Sequence, residues 1–192
     1  MIISCIGDSL TEGDYGVPGK VGIANVHKEN YPYFLNKNTG WEVRNFGKCG
    51  YRASHALDDY KKGLFDVRNS NFILIMLGTN GGFSMTENTP DNDAYKELIA
   101  LCRSDAPKAK IILLTPPRVT ERKGGYKNAL VAGEFVRTLA KEEELPVIEI
   151  AQIPEFTAEN ESIYQTNDGV HFVEAGYRVI AQYVENSLKA ML

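Results

Sequence analysis

Short apolar segments recur along the chain and predict the strands of one sheet. Two of them, "FILIML" and "AKIILLT", are nearly continuous hydrophobic runs and do not alternate with polar residues. Continuous runs are typical of strands covered on both faces, as in a parallel sheet between two layers of helices. We therefore predict five strands, at Ile2 to Ile6, Glu42 to Phe46, Phe72 to Leu77, Ala109 to Thr115 and Leu145 to Ile150.

Helical periodicity fills the segments between the predicted strands. In "NDAYKELIALCRSDA" an apolar stripe runs from Tyr95 to Cys102, and Asn92 or Asp93 is available as the N-cap. Weaker helices are predicted at Glu29 to Lys37 and at Ala53 to Lys61. Two further stretches show the same spacing, and their predicted buried residues are Leu130, Val131, Phe135 and Leu139 in one and Val179, Ile180, Tyr183, Val184 and Leu188 in the other.

The alternation of strands and helices predicts the architecture. It is typical of right-handed βαβ units, which build an open, doubly wound sheet. No internal repeat, low-complexity tract or linker interrupts the sequence, so we expect residues 1–192 to form one α/β domain with a mainly parallel, five-stranded sheet. Ligands of such sheets bind beyond the carboxyl ends of the strands, where the strand order reverses.

Composition and charge narrow the classes of function. The net charge is −4 and Lys and Arg form no run, so we expect no nucleic-acid partner. The longest wholly apolar run, Phe72 to Leu77, is far shorter than the roughly 18 residues that can span a bilayer, so we expect no membrane insertion. No basic stretch precedes the first apolar segment, and the cysteines Cys5, Cys49 and Cys102 form no close pair. We therefore expect mostly buried thiols and a cytoplasmic location.

Residues with distinctive chemistry follow the predicted strands and precede the last predicted helix. Because the carboxyl ends of parallel strands meet at one edge of a sheet, these residues are expected to lie close together. They are Gly7, Asp8 and Ser9 after the first strand, Gly47 and Gly50 after the second, Asn80 after the third, and Asp168 and His171 in "TNDGVHF".

This set contains the groups that acyl transfer requires. A serine hydroxyl is a weak nucleophile at neutral pH and needs a base, for which Ser9 has His171 as the candidate. Asp168 and His171 are separated by two residues, so a single turn can bring the carboxylate to Nδ1 of the ring and hold its tautomer. The oxyanion needs preorganised donors, and the candidates are the backbone N–H groups of Ser9 and Gly50 and the side-chain amide of Asn80.

The same residues lie in four short motifs. "GDSLT", a glycine in "NFGKCG", an asparagine in "LGTN" and a late "DGVH" resemble, in this order, the four blocks of the SGNH, or GDSL-type, esterase and lipase family. The resemblance implies a flavodoxin-like fold of the SGNH hydrolase type and an enzyme without metal or cofactor that hydrolyses small acyl esters, often acetyl esters, of sugars, lipids or small alcohols. It also implies the roles of the site residues, with Ser9 as nucleophile, His171 as base, Asp168 as its partner, and Ser9, Gly50 and Asn80 as the oxyanion hole.

The sequence departs from the family pattern at one position, and it offers two glycines for one of the family's roles. The third block of the family usually carries Asp after its Asn, and here that position is Gly81. The family's spacing favours Gly50 over Gly47 as the oxyanion amide. The G-x-S-x-G pattern of other serine hydrolases is absent around Ser9, because position 11 is Thr.

Other interpretations of the same residues stay open. Ser9 and Glu12 have the spacing of a capping box, and we assign Asp8 to hydrogen bonds within its loop. A thioesterase or lysophospholipase would use the same triad. A phosphate- or nucleotide-binding module would bind its ligand at "GDSLTEG" without ester turnover, and a metal-dependent phosphoesterase would use Asp8 and Asp168.

Two segments are candidates for the rim of the site. The long, Gly-rich loop "GDYGVPGKVGIANVHKENYP" follows Ser9 and is either a rim over the substrate or a surface excursion. Arg118, Arg122 and Lys123 could meet an anionic group of a substrate, or could be solvated charges.

Overall fold

The computed structural model of the chain describes residues 1–16, 26–120 and 126–192. Within these ranges, strands in the order β2-β1-β3-β4-β5 form a sheet in which every neighbouring pair is parallel. The predicted α/β class and parallel sheet are therefore confirmed. The strands are β1 (Ile2–Gly7), β2 (Glu42–Gly47), β3 (Phe72–Met76), β4 (Lys110–Leu114) and β5 (Val147–Ile148).

Helices cover both faces of the sheet. They are α1 (Ser9–Glu12), α2 (Tyr31–Thr39), α3 (Ala53–Lys61), α4 (Pro90–Asp105), α5 (Tyr126–Glu142), α6 (Glu161–Tyr164) and α7 (Glu174–Lys189). Side chains of α2 and α7 pack in one hydrophobic core, and those of α3, α4 and α5 pack in the other. Successive residues of β3 alternate between the two cores, with Ile73 in one and Leu74 in the other, which explains why this strand is continuously hydrophobic.

The site lies where the strand order reverses. The chain passes from β1 to β2 on one side and then returns to place β3 on the other side of β1. The carboxyl ends of β1 and β3 therefore border the crevice in which ligands of doubly wound sheets bind. Asp8 and Ser9 follow the first of these ends, and Asn80 follows the second.

The last strand is shorter than predicted. We expected Leu145 to Ile150, but only Val147–Ile148 pairs with β4. Pro146 accepts a hydrogen bond from the Leu113 N–H at 3.1 Å but has no N–H to donate to the ladder, and Ile150 begins a short 3₁₀ turn, so the strand does not extend in either direction. The run is hydrophobic beyond the strand because Ile150 is buried in the core.

Helix α4 begins earlier than the predicted caps. Its N-cap is Thr89, whose hydroxyl accepts a hydrogen bond from the Asn92 N–H, and Pro90 occupies the first helical position. The prediction of Asn92 or Asp93 as the cap is wrong. Proline has no N–H, and the first helical position is one where an N–H would have no partner inside the helix, so the helix can begin at Pro90. The predicted stripe from Tyr95 to Cys102 is buried, as expected.

The buried face of α5 differs from the prediction. Leu130 is 56% exposed and Val131 is 36% exposed, whereas Ala132 and Val136 face the core together with Phe135 and Leu139. The reason is a close approach: a β-carbon on Gly78, just after β3, would collide with the β-carbon of Ala132. The helix therefore turns small residues towards the sheet, and two larger residues are left outside.

The remaining expectations for helices match more closely. Ile180, Val184 and Leu188 of α7 are fully buried, and Val179 and Tyr183 are partly buried against the same core. In the described part of the chain, no helix combines the length and the apolar character that crossing a membrane requires.

Candidate active site

Three of the predicted site residues form a continuous chain of hydrogen bonds. The hydroxyl oxygen of Ser9 is 3.0 Å from Nε2 of His171, and Nδ1 of the same ring is 2.7 Å from Oδ2 of Asp168. In the neutral tautomer with the proton on Nδ1, that N–H donates to the carboxylate and Nε2 accepts from the hydroxyl. Ser9 and His171 are separated by 162 positions in the sequence, so the fold alone brings them together.

Ser9 is presented at the first residue of α1, not at its cap. Asp8 is the N-cap, and its Oδ1 accepts a hydrogen bond from the Leu10 N–H at 3.0 Å. Glu12 does not reach back to the cap, because its Oε2 accepts a hydrogen bond from the Cys49 N–H at 2.6 Å. The capping-box interpretation of Ser9 is therefore wrong, and the assignment of Asp8 to hydrogen bonding in its loop agrees with the structure.

Asp168 is oriented by its own turn. Its Oδ1 accepts hydrogen bonds from the Thr166 hydroxyl at 2.7 Å, the Val170 N–H at 2.8 Å and the His171 N–H at 2.9 Å. This leaves Oδ2 for the imidazole. Partial burial alone would raise the pKa of Asp168, but the hydrogen bonds from His171 and from its neighbours outweigh burial and hold the pKa well below its usual range. The carboxylate is therefore ionised at any pH at which the fold is normally studied.

The loop after α1 passes close to the carboxylate of Asp168. Gly16 has a φ of 54°, and a β-carbon at this position would collide with Oδ2 of Asp168. Glycine is required here both for the backbone conformation and for the close approach. The described residues of the Gly-rich loop, up to 16 and from 26 onward, thus include part of the wall of the site. Residues 17–25 of that loop, together with Arg122 and Lys123, lie outside the described ranges.

Three carboxylates, those of Asp168, Asp14 and Asp8, act on the His171 ring. Burial would lower the pKa of His171, but the hydrogen bond and charge of Asp168, with the charges of Asp14 and Asp8, outweigh burial and raise it. Oδ2 of Asp14 is 3.8 Å from Nε2 of the ring. Asp14 lies five residues after Ser9 and has no recognisable motif partner, so the sequence alone does not mark it as a site residue.

The other carboxylate next to the nucleophile is less acidic than usual. Asp8 is almost completely buried, and burial raises its pKa to about 6, although the hydrogen bond from Leu10 and the charge of His171 oppose the rise. A group with this pKa changes its charge in the same pH range as an ordinary histidine.

The two glycines after β2 differ in what surrounds them. The Gly47 N–H donates to Oδ1 of Asn45 at 2.9 Å, and a β-carbon on Gly47 would collide with the backbone of Thr11 and Glu12. Gly50 has a φ of 77°, and a β-carbon there would meet open space. Among the described residues its N–H has no hydrogen-bond partner. The Gly47 N–H is therefore used by Asn45, and its α-carbon is enclosed by α1. The Gly50 N–H is unobstructed, as an oxyanion donor must be.

Asn80 is tied to the loop that carries Gly50. Its Nδ2 donates to the carbonyl oxygen of Tyr51 at 2.9 Å, which uses one of the two hydrogens of the amide and leaves the other available. Nε of Arg52 donates to the backbone carbonyl oxygen of Asn80 at 3.2 Å. The loops after β2 and β3 are thereby held side by side at the carboxyl edge of the sheet.

Gly81 has a conformational reason to be glycine. Its φ is 73°, and a β-carbon would collide with the side chain of Asn128 at the start of α5. An aspartate at this position would need both a left-handed backbone and a rearrangement of the Asn128 side chain. Glycine at position 81, where the family usually has Asp, therefore suits both the backbone conformation and the nearby Asn128 side chain of α5.

The described residues contain no cluster of three or more His, Cys, Asp or Glu side chains that could hold a metal ion. Of the three cysteines, Cys5 and Cys102 are buried as expected, whereas Cys49 is partly exposed beside the site. Its thiol donates to Oδ2 of Asp14 at 3.4 Å.

Comparisons with known proteins agree with this architecture. A family model described as the GDSL-like Lipase/Acylhydrolase family matches residues 5–179. No curated protein matches the chain in sequence.

Solved structures are similar to the chain over its whole length, at low sequence identity. The native aryl esterase of M. smegmatis superposes with a TM-score of 0.79 at 18% identity, covering 100% of this chain and 99% of that one. A carbohydrate acetylesterase from Sinorhizobium meliloti gives 0.77 at 16% identity, with the same coverage of 100% and 99%. A lipase/acylhydrolase from Enterococcus faecalis gives 0.75 at 18% identity, covering 100% and 96%.

Proposed function

Because the chain belongs to the GDSL-like lipase/acylhydrolase family, we propose that it is a serine esterase that hydrolyses small acyl esters through an acyl-enzyme. The observation that carries this proposal is the continuous hydrogen bonding from Ser9 through His171 to Asp168. In this proposal Ser9 is the nucleophile, His171 is the general base, and Asp168 holds the ring and stabilises its charged form.

The reaction would proceed in two halves. The Ser9 hydroxyl attacks the ester carbonyl carbon while its proton passes to Nε2 of His171, and the tetrahedral oxyanion is held by the N–H groups of Ser9 and Gly50 and by the amide of Asn80. The oxyanion collapses, His171 returns the proton to the leaving alcohol, and Ser9 carries the acyl group. Water, deprotonated by His171, repeats these steps on the acyl-enzyme and releases the acid.

A polar alcohol moiety fits the surroundings of Gly50. A cavity of about 330 Å³ borders Gly50 and Cys49 and is lined further by charged and polar side chains, namely those of Lys48, His55, Asp58 and Lys62. Such a lining suits hydroxyl-bearing alcohols better than alkyl chains. Together with the acetylesterase among the similar structures, this favours acetyl or other short acyl esters of a carbohydrate or small alcohol.

A second candidate, a thioesterase or lysophospholipase with the same triad, is favoured by a different cavity. About 380 Å³ of space after β4 is lined mainly by apolar side chains, among them Pro116, Val119, Tyr126 and Leu130. The loop that borders this cavity contacts the His171 turn, because the Thr120 N–H donates to the carbonyl oxygen of Gly169 at 2.9 Å. An apolar cavity at this edge could receive a longer acyl chain.

The phosphate-binding alternative has less physical support. Helix α1 has four residues, and a carboxylate, that of Asp8, occupies its N-cap. A carboxylate at that position would repel a phosphate, and a single helical turn offers little dipole to attract one.

The proposal is tested by ester turnover. We expect hydrolysis of p-nitrophenyl acetate that exceeds hydrolysis of the butyrate and octanoate esters, and that is unchanged by EDTA. Ser9→Ala should lower kcat by about a millionfold, since only binding and oxyanion stabilisation remain. Ser187→Ala on α7 is the matched control and should retain wild-type rates, because within the described ranges its hydroxyl donates only to the carbonyl oxygen of Tyr183.

Three outcomes would redirect the proposal. Turnover by Ser9→Ala at the wild-type rate would remove Ser9 from the mechanism. A preference for octanoate would favour the thioesterase or lysophospholipase, and loss of activity with EDTA would favour the metal-dependent phosphoesterase.

A further inference from the structure

A second carboxylate lies beside the His171 ring, on the side away from Asp168. Oδ2 of Asp14 is 3.8 Å from Nε2, the ring nitrogen that also faces the Ser9 hydroxyl. The Asp14 side chain is only 6% exposed. A carboxylate therefore faces each of the two ring nitrogens, the partly exposed Asp168 at 2.7 Å from Nδ1 and the buried Asp14 at 3.8 Å from Nε2.

The backbone of Asp14 is held by elements on both sides of it. Its N–H donates to the carbonyl oxygen of Ser9 at 2.9 Å, and its carbonyl oxygen accepts a hydrogen bond from the buried Tyr177 hydroxyl at 2.6 Å. Oδ1 of its side chain accepts from the Gly16 N–H at 2.7 Å. These contacts aim the remaining oxygen, Oδ2, at the space between Cys49 and His171.

The thiol of Cys49 is a weak hydrogen-bond partner for Oδ2 of Asp14. Burial, followed by the Glu12 and Asp14 carboxylates, raises the pKa of Cys49 well above its usual range, so the thiol stays protonated and donates to Oδ2 at 3.4 Å. A thiol is a weak donor. The strongest positive partner available to Oδ2 among the described residues is therefore the protonated ring of His171.

We propose that Asp14 is a positioning residue that stabilises the His171 imidazolium from the Nε2 side while Asp168 stabilises it from the Nδ1 side. The inference rests on the proposed function, in which the proton of Ser9 passes to Nε2 as the Ser9 oxygen bonds to the carbonyl carbon. The ring is charged in that state, and a carboxylate about 4 Å away favours the charge.

The direction of the pH effect follows from the groups that face the ring. Asp168 comes from the His171 turn, Asp8 from the end of β1, and Asp14 from the end of α1, and all three oppose burial and raise the pKa of His171. His171 accepts a proton only when neutral, so activity should fall as the pH drops through this raised pKa. Removing the charge of Asp14 should lower the pKa of His171 and extend activity to lower pH, and it should also reduce the plateau rate at higher pH.

The test is the titration of the His171 ring by NMR in the full chain. The protein has three histidines, so His27→Gln and His55→Gln assign the signals. We expect Asp14→Asn and Asp14→Ser to lower the pKa of His171 by about one unit. In the pH profile of kcat/KM, the acidic limb should move down by the same amount. The plateau should fall by up to about tenfold, because one pKa unit corresponds to a factor of ten.

Two control variants distinguish an effect of the Asp14 charge from two other effects. These are a disturbance of the side chains around Asp14 and a change in the net charge of the protein. Cys49→Ala keeps the carboxylate and should leave the pKa of His171 at or above the wild-type value. Asp93→Asn removes an exposed carboxylate on α4, whose Oδ1 accepts only from Asn88, and should change neither the ring titration nor the rate.

Three outcomes contradict the inference. An unchanged pKa of His171 in both folded Asp14 variants would overturn it, and so would an equal downward shift in Cys49→Ala. Loss of the fold in both Asp14 variants would assign Asp14 to stability instead. A wild-type protein without ester turnover would contradict the proposed function, and the ring titration would still decide whether Asp14 acts on His171.

Discussion

The two segments that meet at the nucleophile and its base are held in different ways. Asp8 to Asp14 is almost completely buried and is held by residues distant in sequence: Nδ2 of Asn45 donates to the Thr11 carbonyl oxygen at 2.8 Å, and Nδ2 of Asn30 donates to that of Glu12 at 2.9 Å. Thr166 to His171 is partly exposed, and the turn is held mainly by hydrogen bonds that end on its own Asp168.

The difference indicates how each segment should respond to substitution. The position of Ser9 depends on packing between several elements, so changes around it should alter both stability and activity. The orientation of His171 depends on one local turn, so changes there should alter activity far more than stability. The following substitutions test this contrast, beginning with the largest expected effect.

Asp168→Asn should lower kcat by about ten-thousandfold, because an amide at this position favours the wrong tautomer of His171. The three hydrogen bonds to Oδ1 can persist in the variant but no longer end on a charged group, so its free energy of unfolding should fall by about 1–2 kcal/mol. Steady-state kinetics and urea denaturation measure the two quantities. Asn167→Ala, an exposed neighbour in the same turn, is the control and should change neither. A tenfold or smaller loss in Asp168→Asn would contradict the assigned role.

Asn80→Ala should lower kcat by about a hundredfold to a thousandfold with little change in KM, as expected for loss of one oxyanion donor. The loop contact to Tyr51 is also lost, so a small loss of stability should accompany the loss of rate. Asn88→Ala is the matched control, because its amide only donates to the exposed Asp93. A rise in KM with kcat unchanged would indicate substrate binding instead of oxyanion stabilisation.

Gly47→Ala should lower the free energy of unfolding by about 1–3 kcal/mol, because the added methyl group overpacks against the backbone of α1. Activity should fall as well, since α1 carries Ser9. The same substitution at Gly133, inside α5, should raise stability by about 0.5–1 kcal/mol, because its β-carbon would have no contact closer than 3.5 Å. Equal effects of the two substitutions on the urea midpoint would show that the Ser9 segment is not held by packing.

The features predicted correctly from the sequence are those set by local patterns. Continuous hydrophobic runs predicted β3 and β4, because burial on both faces selects apolar residues at nearly every position. The separation of Asp168 from His171 predicted a turn that brings the carboxylate to the ring, since three residues are enough for the contact.

The features that were missed depend on contacts between distant elements. Leu130 and Val131 fit a helical stripe, but the approach of Ala132 to Gly78 decides which face of α5 is buried. Asp14 belongs to no helical or strand pattern in the sequence. It lies near His171 only because the fold brings the two ends of the chain together. A buried charge of this kind can be recognised only once the three-dimensional neighbours are known.

The central claim, that Ser9 is a nucleophile activated by His171, is tested most directly by covalent labelling. The protein would be incubated with a fluorophosphonate, and its peptides analysed by mass spectrometry. We predict one adduct, on the peptide that contains Ser9, formed with loss of fluoride and at least a hundredfold more slowly in His171→Gln. An unlabelled Ser9, or labelling of Ser9 at the wild-type rate without His171, would contradict the claim.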